Sequence, residues 1–355
     1  MRVALVVPPF IPVPPQRYGG TELFAAHLAE GLANLGIDVV LYTNGESTLP
    51  VERRWIYPKG QWPLDEEIFG NLSDINHGAW AVKDAAASCD VIHVSNAPSL
   101  VHSRFVDVPF VYTIHHPYNS GLADFYRQYP QVNYVAISDA QRRRECMPQL
   151  RTIHHGIDVR DYEAPRGRRS HLTFLGRIAP VKGTHIAIEV AKQAGIPLKI
   201  AGEIQPMFRD YYETRVKPHV DGRFIEYVGE ADLAAKNELL GNSLALLFPI
   251  EWEEPFGLVM IEAMACGAPV LAFSSGSTPE IVRDGISGYL CNSVEQMAKR
   301  ARLCEKFNAC EVRSYVATNF SLQKMVNQYA ELYAELLETG LDAPDTLAAG
   351  EPTAA

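Results

Sequence analysis

The chain has 355 residues, of which 47% are hydrophobic and 21% are charged, the composition of an ordinary globular protein. This length suits two domains of roughly 150 residues each. The formal net charge of −10 argues against a general nucleic-acid binder and against a protein held to anionic membranes by charge.

The six cysteines are scattered along the chain without a C-x-x-C pair. This distribution argues against a disulfide framework or a zinc site and favours the reducing cytoplasm. No apolar run approaches the ~20 residues that a membrane span requires. Met1-Arg2 leads directly into a strand-like run and not into a signal peptide. We therefore predict a cytoplasmic protein without a stable membrane span.

The first elements form a β-α-β unit. Residues 3–7 are wholly apolar and predict a buried parallel strand. A Pro-rich loop, residues 8–18, ends in G-G-T-E, where a helix begins, and a second strand follows at 38–43. The loop is too long for the G-x-G-x-x-G fingerprint, which argues against a nicotinamide or flavin enzyme. Gly19 and Gly20 would let a phosphate or sugar approach the backbone, although a tight helix entry alone would also use them.

Four further strand-like runs alternate with helical or irregular segments, at 91–94, 110–114, 134–137 and 152–154. This alternation predicts a parallel sheet covered on both faces, with ligands bound beyond the carboxyl ends of its strands. His115 ends one strand where such a ligand would lie, and a packed core histidine is the equal alternative. Ser138 and Gln141 form a capping box, so Ser138 is interpreted as structural.

Two polar stretches follow in the middle of the chain. Arg142–Arg144 is interpreted as a solvated face, with an anionic acceptor or a peripheral membrane contact as the alternative. His154 and His155 precede a glycine turn, and the polar residues 165–169 form the best linker in the sequence. Because no third ligand stands at suitable spacing from the two histidines, no metal site is predicted there.

A second α/β series begins with a strand at 171–175 and a helix at 184–194. The loop between them reads G-R-I-A-P-V-K-G. Its Arg177 offers a bidentate fork and its Lys182 a point charge, which together suit a pyrophosphate. Neither cation has an acidic partner nearby in the sequence. Further strands are predicted at 197–201, 224–228, 244–248 and 269–273.

The stretch E-W-E-E-P-F-G-L-V-M-I-E-A-M-A-C-G-A follows the strand at 244–248. It predicts a turn and then an apolar helix, with Glu254 before the helix and Glu262 inside it. Two carboxylates would bracket a helix N-terminus that can hold an anion, a layout that fits a sugar, a phosphate and a ribose. The alternative is that Glu254 only caps the helix and Glu262 is solvated. An amphipathic helix at 321–337 and a small, polar tail at 340–355 complete the chain.

Three motifs together resemble glycosyltransferase family four: G-G-T-E, G-R-x-x-P-x-K-G and E-P-F-G-L-x-x-x-E-A-M-A-C-G. The resemblance runs from residue 1 to about residue 337. It implies the α/β fold GT-B, in which two Rossmann-like, doubly wound parallel-sheet domains face each other across a cleft. The expected parts are an acceptor-side domain at 1–160, a donor domain at 161–320, a helix at 321–338 that crosses back to the first domain, and a disordered tail at 339–355. The Pro-rich loop also looks like that of a subgroup with antibiotic-pathway sugar transferases.

The resemblance also implies roles for single residues. Arg177 and Lys182 would grip the donor diphosphate in place of a metal, and Glu262 would bind the ribose. Glu254 would lie near the donor sugar, and His115 matches an active-site histidine of the family. The other implied donor contacts are Gly19 and Gly20 at the phosphates, Phe256, Gly257 and Leu258 through their amides, and Val228 near the base. His155 replaces the usual Asn of a hinge turn, at a position expected to have a positive φ that a histidine can adopt.

The implied activity is retaining transfer of a hexose from a nucleoside-diphosphate sugar to a hydroxyl acceptor, without metal or cofactor. UDP-sugars are the commonest donors for such folds, and GDP and ADP remain open, as does the oligomeric state. Attack would come from the face of the leaving group, and domain closure would exclude water. A catalytically silent sugar- or nucleotide-binding protein and a nucleotide-sugar epimerase are the competing interpretations. The first would bind nucleotide without transfer, and the second would isomerise a sugar without an acceptor.

Overall fold

The computed structural model describes residues 1–15, 19–62, 67–164, 167 and 169–341. Its first half contains a sheet of seven parallel strands in the order β3-β2-β1-β4-β5-β6-β7. The central strands are buried and mostly apolar, as a sheet covered on both faces requires. The strands are β1 Arg2–Val6, β2 Asp38–Tyr42, β3 Glu52–Arg54, β4 Val91–Val94, β5 Phe110–Ile114, β6 Asn133–Ala136 and β7 Leu150–Thr152. The helices of this half are α1 Gly20–Asn34, α2 Glu67–Ala86, α3 Ser120–Tyr126 and α4 Asp139–Arg142.

The second half contains a sheet of six parallel strands in the order β10-β9-β8-β11-β12-β13. Its strands are β8 His171–Leu175, β9 Leu198–Ala201, β10 Ile225–Gly229, β11 Ser243–Phe248, β12 Val270–Phe273 and β13 Gly288–Cys291. Its helices are α5 Thr184–Ala194, α6 Arg209–Tyr211, α7 Leu233–Gly241, α8 Leu258–Ala265, α9 Thr278–Ile281, α10 Val294–Ala301 and α11 Ala309–Asn319. The prediction of two doubly wound parallel sheets is confirmed.

Both sheets reverse their strand order in the middle. In the first sheet β1 is flanked by β2 and β4, and in the second sheet β8 is flanked by β9 and β11. The loops after strands on the two sides of such a reversal diverge and leave a crevice, where ligands of open α/β sheets bind. The loops that follow β1, β8 and β11 carry the three motifs singled out in the sequence.

The last helix, α12 Leu322–Leu341, packs on α1 of the first half. The contact is close, because a Cβ atom at Gly31 of α1 would lie 2.3 Å from Val326 Cγ2 of α12. Buried hydrogen bonds join the same helix to the first sheet, from Tyr333 Oη to His93 Nδ1 at 2.6 Å and from Tyr329 Oη to Thr113 Oγ1 at 2.9 Å.

The chain crosses between the halves twice, and the two crossings lie side by side. Ile157 donates its N–H to the Phe320 carbonyl at 3.0 Å and accepts from the Leu322 N–H at 2.9 Å. A Cβ at Gly156 would lie 2.3 Å from the Ser321 carbonyl oxygen, so this close pairing requires glycine.

The sequence did not reveal every element. The strand β3 is missing from the prediction because its three residues, E-R-R, lack apolar character. The helix α12 continues to Leu341, past the predicted end at 337. Most of the predicted linker at 165–169 and the tail from 342 lie outside the described residues. None of the described helices is long and apolar enough to cross a membrane.

Candidate active site in the cleft between the two sheets

A cavity of about 490 Å³ lies where the carboxyl ends of the two sheets face each other. Its lining includes every predicted site residue except Gly19 and Val228. We call the residues contributed by the first sheet's half the first wall: Gly20, Thr21, His115, His116, Pro117, Ile137 and His155. The second wall comprises Leu175, Gly176, Arg177, Lys182, Gly202, Glu203, Glu230, Ala231, Lys236, Trp252, residues 254–259 and Glu262.

Lys182 is held by a loop that fits tightly on the end of β11. The short turn Pro180–Lys182 ends at Gly183, whose φ of 72° is in the left-handed region. A Cβ at Gly183 would lie 2.0 Å from the Pro249 carbonyl oxygen, so no other residue fits there. Arg177 follows β8 after a single residue, Gly176, and its Nη1 lies 3.5 Å from Gln205 Oε1. Both cations line the cavity, as the G-R-x-x-P-x-K-G spacing predicts.

Glu254 is an internal partner of Lys182 and does not cap the helix. Its Oε2 accepts from Lys182 Nζ at 2.6 Å and from Trp252 Nε1 at 2.8 Å. The N-cap of α8 is Gly257, with φ 82°, and no side chain of the described residues caps this helix end. The interpretation of Glu254 as a capping residue is therefore wrong. Met260 donates its N–H to the Gly257 carbonyl at 2.9 Å, so the N–H groups of Leu258 and Val259 are those that an anion in the cavity can bind.

Glu262 is also buried, so the interpretation of this residue as a solvated one is wrong. Only 4% of the residue is exposed. Its Oε1 accepts from Lys236 Nζ at 2.9 Å and from Tyr162 Oη at 3.2 Å. Burial and the nearby Glu262 carboxylate raise the pKa of Tyr162, so that its hydroxyl stays a donor. Both of these hydrogen bonds reach the same oxygen of a carboxylate that lines the cavity.

Trp252, Lys236 and Tyr162 were not predicted as site residues. Trp252 stands two residues before Glu254, and its position beside that motif was a usable signal. Lys236 lies in a helix of ordinary composition, 26 residues from its partner Glu262, and nothing in the sequence connects the two. Tyr162 lies 100 residues from the same carboxylate.

His115 lies in the first wall at the end of β5. Burial and the nearby charge of His116 lower the pKa of His115 to about 3, so its ring is neutral at neutral pH. Its Nε2 is buried and contacts no hydrogen-bond partner among the described residues. A neutral imidazole with a free nitrogen suits a hydroxyl group of a ligand better than a phosphate.

His155 differs from the sequence-based expectation. No described residue other than glycine has a positive φ, so the expected left-handed backbone at this position is wrong. The ring is buried and stacks on His115 with 5.6 Å between centroids and 7° between planes. It also packs edge-on against Phe256, with 5.1 Å between ring centroids. Burial lowers the pKa of His155 well below its usual range, so it adds a second neutral ring to the first wall.

Gly19 and Val228 stand outside the cavity lining. Gly19 is the N-cap of α1 with φ 155°, and its neighbour Gly20 reaches the cavity. Val228 lies on β10 and is 42% exposed. The residues that line the cavity after β10 are Glu230 and Ala231.

A second polar contact joins the two halves beside the cavity. Glu280 of α9 accepts from the backbone N–H groups of Asp139 and Ala140 at the start of α4, at 2.8 and 2.5 Å. His154 Nε2 lies 3.1 Å from the same carboxylate. Asp139, His154 and Glu280 thus place three potential metal ligands within 4.8 Å of one another, which sequence spacing did not reveal. Since the Glu280 carboxylate already binds the backbone of α4, we interpret this group as a contact between the halves.

The arginines at 142–144 are all exposed, in agreement with a solvated face. Arg143 lies 3.7 Å from Glu280 Oε1, and the guanidinium of Arg144 lies 4.6 Å from the Tyr118 ring centroid.

Two sequence families match the chain, one on each half. The family described as "Glycosyltransferase Family 4" matches residues 18–161, and "Glycosyl transferases group 1" matches residues 159–319. Glycogen synthase of Mycobacterium tuberculosis is 25% identical over 90% of this chain and 92% of its own length.

Solved structures resemble the whole chain. AviGT4, a glycosyltransferase involved in avilamycin A biosynthesis, has a TM-score of 0.71 and 23% identity and covers 95% of this chain and 98% of its own. Anabaena HepE in complex with UDP and glucose has a TM-score of 0.74 and 18% identity, over 94% of this chain and 100% of its own. At these identities the structural likeness concerns the fold.

Proposed function

The chain belongs to the group 1 and family 4 glycosyltransferases and has the GT-B fold, and we propose that it is a retaining hexosyltransferase with a UDP-sugar donor. The acceptor would be a hydroxyl group, and no metal would take part. Glycosyltransferases of these families move a sugar from a nucleotide sugar. The stereochemistry, the donor and the independence from metal are the parts that we propose.

One feature of the cavity carries the proposal. The second wall joins two cations, an uncapped helix N-terminus and two buried carboxylates around one space. Arg177, Lys182 and the first amides of α8 suit the two phosphates of a nucleoside diphosphate. Glu262 then suits the ribose hydroxyls, and Glu254 suits the hydroxyls of the sugar. A UDP-sugar is favoured because HepE, a structural neighbour, binds UDP and glucose.

The proposed reaction breaks the bond between the sugar C1 and the β-phosphate oxygen, whose electron pair stays on the phosphate. The acceptor oxygen forms its bond to C1 on the face that the phosphate leaves, and its proton passes to a phosphate oxygen. Negative charge thus grows on the diphosphate while positive charge grows on the sugar ring. Arg177, Lys182 and the N-terminus of α8 stabilise the first of these charges, which is usually the largest contribution to such catalysis. These cations also take the place that a divalent metal would otherwise have.

The first wall is proposed to receive the acceptor and the outer face of the sugar. Its neutral rings, His115 and His155, add no charge that would compete for the diphosphate. His115 Nε2 would exchange a hydrogen bond with a sugar hydroxyl. A cytoplasmic location is part of the same proposal and is supported by the six free thiols.

A transfer assay in EDTA tests the proposal. The protein is incubated with the glucose conjugates of UDP, GDP, ADP and TDP and a panel of sugar, lipid and small-molecule hydroxyl acceptors, and nucleotide release is followed. We expect release that depends on one acceptor, and a product whose anomeric coupling constant shows retention. Bound nucleotide without transfer would favour a binding protein, and an isomerised sugar without acceptor would favour an epimerase. An inverted product would contradict the retaining mechanism.

A further inference from the structure

Trp252 contacts both members of the ion pair formed by Lys182 and Glu254 in the second wall. Its indole Nε1 donates to Glu254 Oε2 at 2.8 Å, and Lys182 Nζ donates to the same oxygen at 2.6 Å. The ammonium of Lys182 also lies 4.4 Å from the centroid of the Trp252 ring. The indole therefore contacts the carboxylate through its edge and the ammonium through its face.

The backbone of Trp252 is fixed from two sides. Its carbonyl accepts from Ser275 Oγ at 2.8 Å, and the neighbouring Glu251 N–H donates to Val181 O, one residue before Lys182, at 2.9 Å. The ring also packs on the core of the second half. The indole is thus a rigid element, whereas Lys182 is a flexible chain that ends in a charge.

The two contacts of the indole have different consequences. The N–H bond occupies Glu254 Oε2 and orients the carboxylate, and no donor of the described residues contacts its Oε1. That oxygen is left for a sugar hydroxyl. The ring face attracts the ammonium but forms no directed bond to it, so Lys182 can leave when a stronger anion arrives.

We propose that Trp252 is a positioning residue that orients Glu254 toward the donor sugar and holds Lys182 until the diphosphate binds. The ammonium then moves from the indole face and Glu254 to the phosphate oxygens, while the indole N–H keeps the carboxylate in place. This inference rests on the proposed function, because it assumes that a nucleoside diphosphate enters the cavity.

The test uses the full chain and Trp252→Phe, which keeps a ring face and removes the N–H donor. Trp80→Phe is the matched control, since Trp80 is another partly buried tryptophan and packs in the first half outside the cavity. Each protein is titrated with UDP and with UDP-glucose by calorimetry, and with UDP by intrinsic fluorescence. GDP, ADP and TDP with their glucose conjugates replace the uridine pair if one of them binds more tightly.

Departure of an ammonium from an indole face changes the indole emission. We expect UDP to change the emission of the wild type and of Trp80→Phe, and to leave that of Trp252→Phe and Lys182→Met nearly unchanged. In Trp252→Phe the affinity for UDP should stay near that of the wild type, because Arg177 and Lys182 remain. Its affinity for UDP-glucose relative to UDP should fall about tenfold, the effect of losing a hydrogen bond to a charged group.

A purely structural tryptophan would lower both affinities together and would leave their ratio unchanged. An unchanged ratio, or an emission change in Trp252→Phe as large as that in Trp80→Phe, would overturn the inference, while UDP binding by the wild type would still support the proposed function. A wild type that binds no nucleoside diphosphate would overturn the proposed function, and the inference with it.

Discussion

The two walls of the cavity are built from opposite chemistry. The second wall holds seven charged side chains: Arg177, Lys182, Glu203, Glu230, Lys236, Glu254 and Glu262. The first wall holds three histidines whose pKa values are all lowered by burial, and no Asp, Glu, Lys or Arg of the described residues. One ligand between them would meet a strong field on one side and a neutral, partly aromatic surface on the other. The difference separates a wall suited to hold and activate a diphosphate from a wall suited to uncharged hydroxyls.

The charged wall is also organised in pairs. Lys182 contacts Glu254, and Lys236 contacts Glu262, at 2.6 and 2.9 Å. Pairing compensates these buried charges within the protein. A diphosphate can then take over the lysines, and hydroxyl groups can take over the carboxylates.

The largest expected effect comes from breaking the Lys182–Glu254 pair, beside which we propose that the diphosphate binds. Lys182→Met and Glu254→Gln should each lower sugar transfer by about 10²–10³, because in the proposed reaction each removes a group that lies next to the charge developing in the transition state. UDP affinity should fall in Lys182→Met and change little in Glu254→Gln. Transfer assays and calorimetry measure the two effects.

The free energy of unfolding distinguishes the contribution of Lys182 and Glu254 to stability from their contribution to transfer. Either single variant leaves a mostly buried charge without its partner, at a cost of about 1–3 kcal/mol in the free energy of unfolding. The double variant should regain much of that stability without regaining transfer. Full activity in both single variants would contradict the assignment of the second wall.

The stability that depends on the first wall should change with pH. The pKa of His115 is about 3 in the folded protein and about 6.5 when unfolded, so the unfolded chain binds a proton first as the pH falls. The contribution of His115 to stability is therefore constant above about pH 6.5 and decreases by about 1.4 kcal/mol per pH unit below it. Urea unfolding between pH 6.5 and 4.5 should show a shallower pH slope for His115→Gln than for the wild type. Equal slopes would mean that His115 is protonated in the folded protein.

A smaller effect on the rate of sugar transfer is expected when His115 of the first wall is replaced. His115→Phe should lower the rate of transfer about tenfold, the effect of one hydrogen bond to a hydroxyl, and should leave UDP affinity unchanged. With a pKa near 3, His115 should add no inflection to the rate between pH 5 and 8. A loss of UDP binding in this variant would place the diphosphate against the first wall and would contradict the division of roles.

The smallest effect is expected when the pair formed by Lys236 and Glu262 is broken. Lys236→Met should lower UDP affinity by roughly threefold to tenfold, because Glu262 loses one of its two positioning donors and keeps Tyr162. The affinity for uridine should fall by the same factor as the affinity for UDP, since we assign this pair to the ribose. A larger loss for UDP than for uridine in calorimetry would instead assign Lys236 to the phosphates.

The two walls also differ in how far the sequence alone could predict them. Arg177 and Lys182 share one loop, and Glu254 and Glu262 share one turn and helix, so the spacing alone brings the four to one edge of a sheet. Most strands could be predicted for a similar reason, because each is a short, mostly apolar run of consecutive residues. The first wall draws on positions 20, 115, 137 and 155, which only the order of the strands brings together.

The residues that sequence reasoning missed depend on contacts over long distances in the chain. The bonds from Lys236 and Tyr162 to Glu262 span 26 and 100 residues, and the bond from Glu280 to Asp139 spans 141. The backbone conformation of His155 was predicted wrongly for a related reason. A local turn argument assigned it an unusual backbone, whereas its ring contacts with His115 and Phe256 determine its place.

Calorimetric titration of the wild type and of Arg177→Ala with UDP, GDP, ADP and TDP in EDTA tests the central claim most directly. Tight binding of one nucleotide, UDP by our account, and its loss in the variant would locate a metal-free diphosphate site at the second wall. No binding of any nucleotide by the wild type, or equal binding by Arg177→Ala, would contradict that claim.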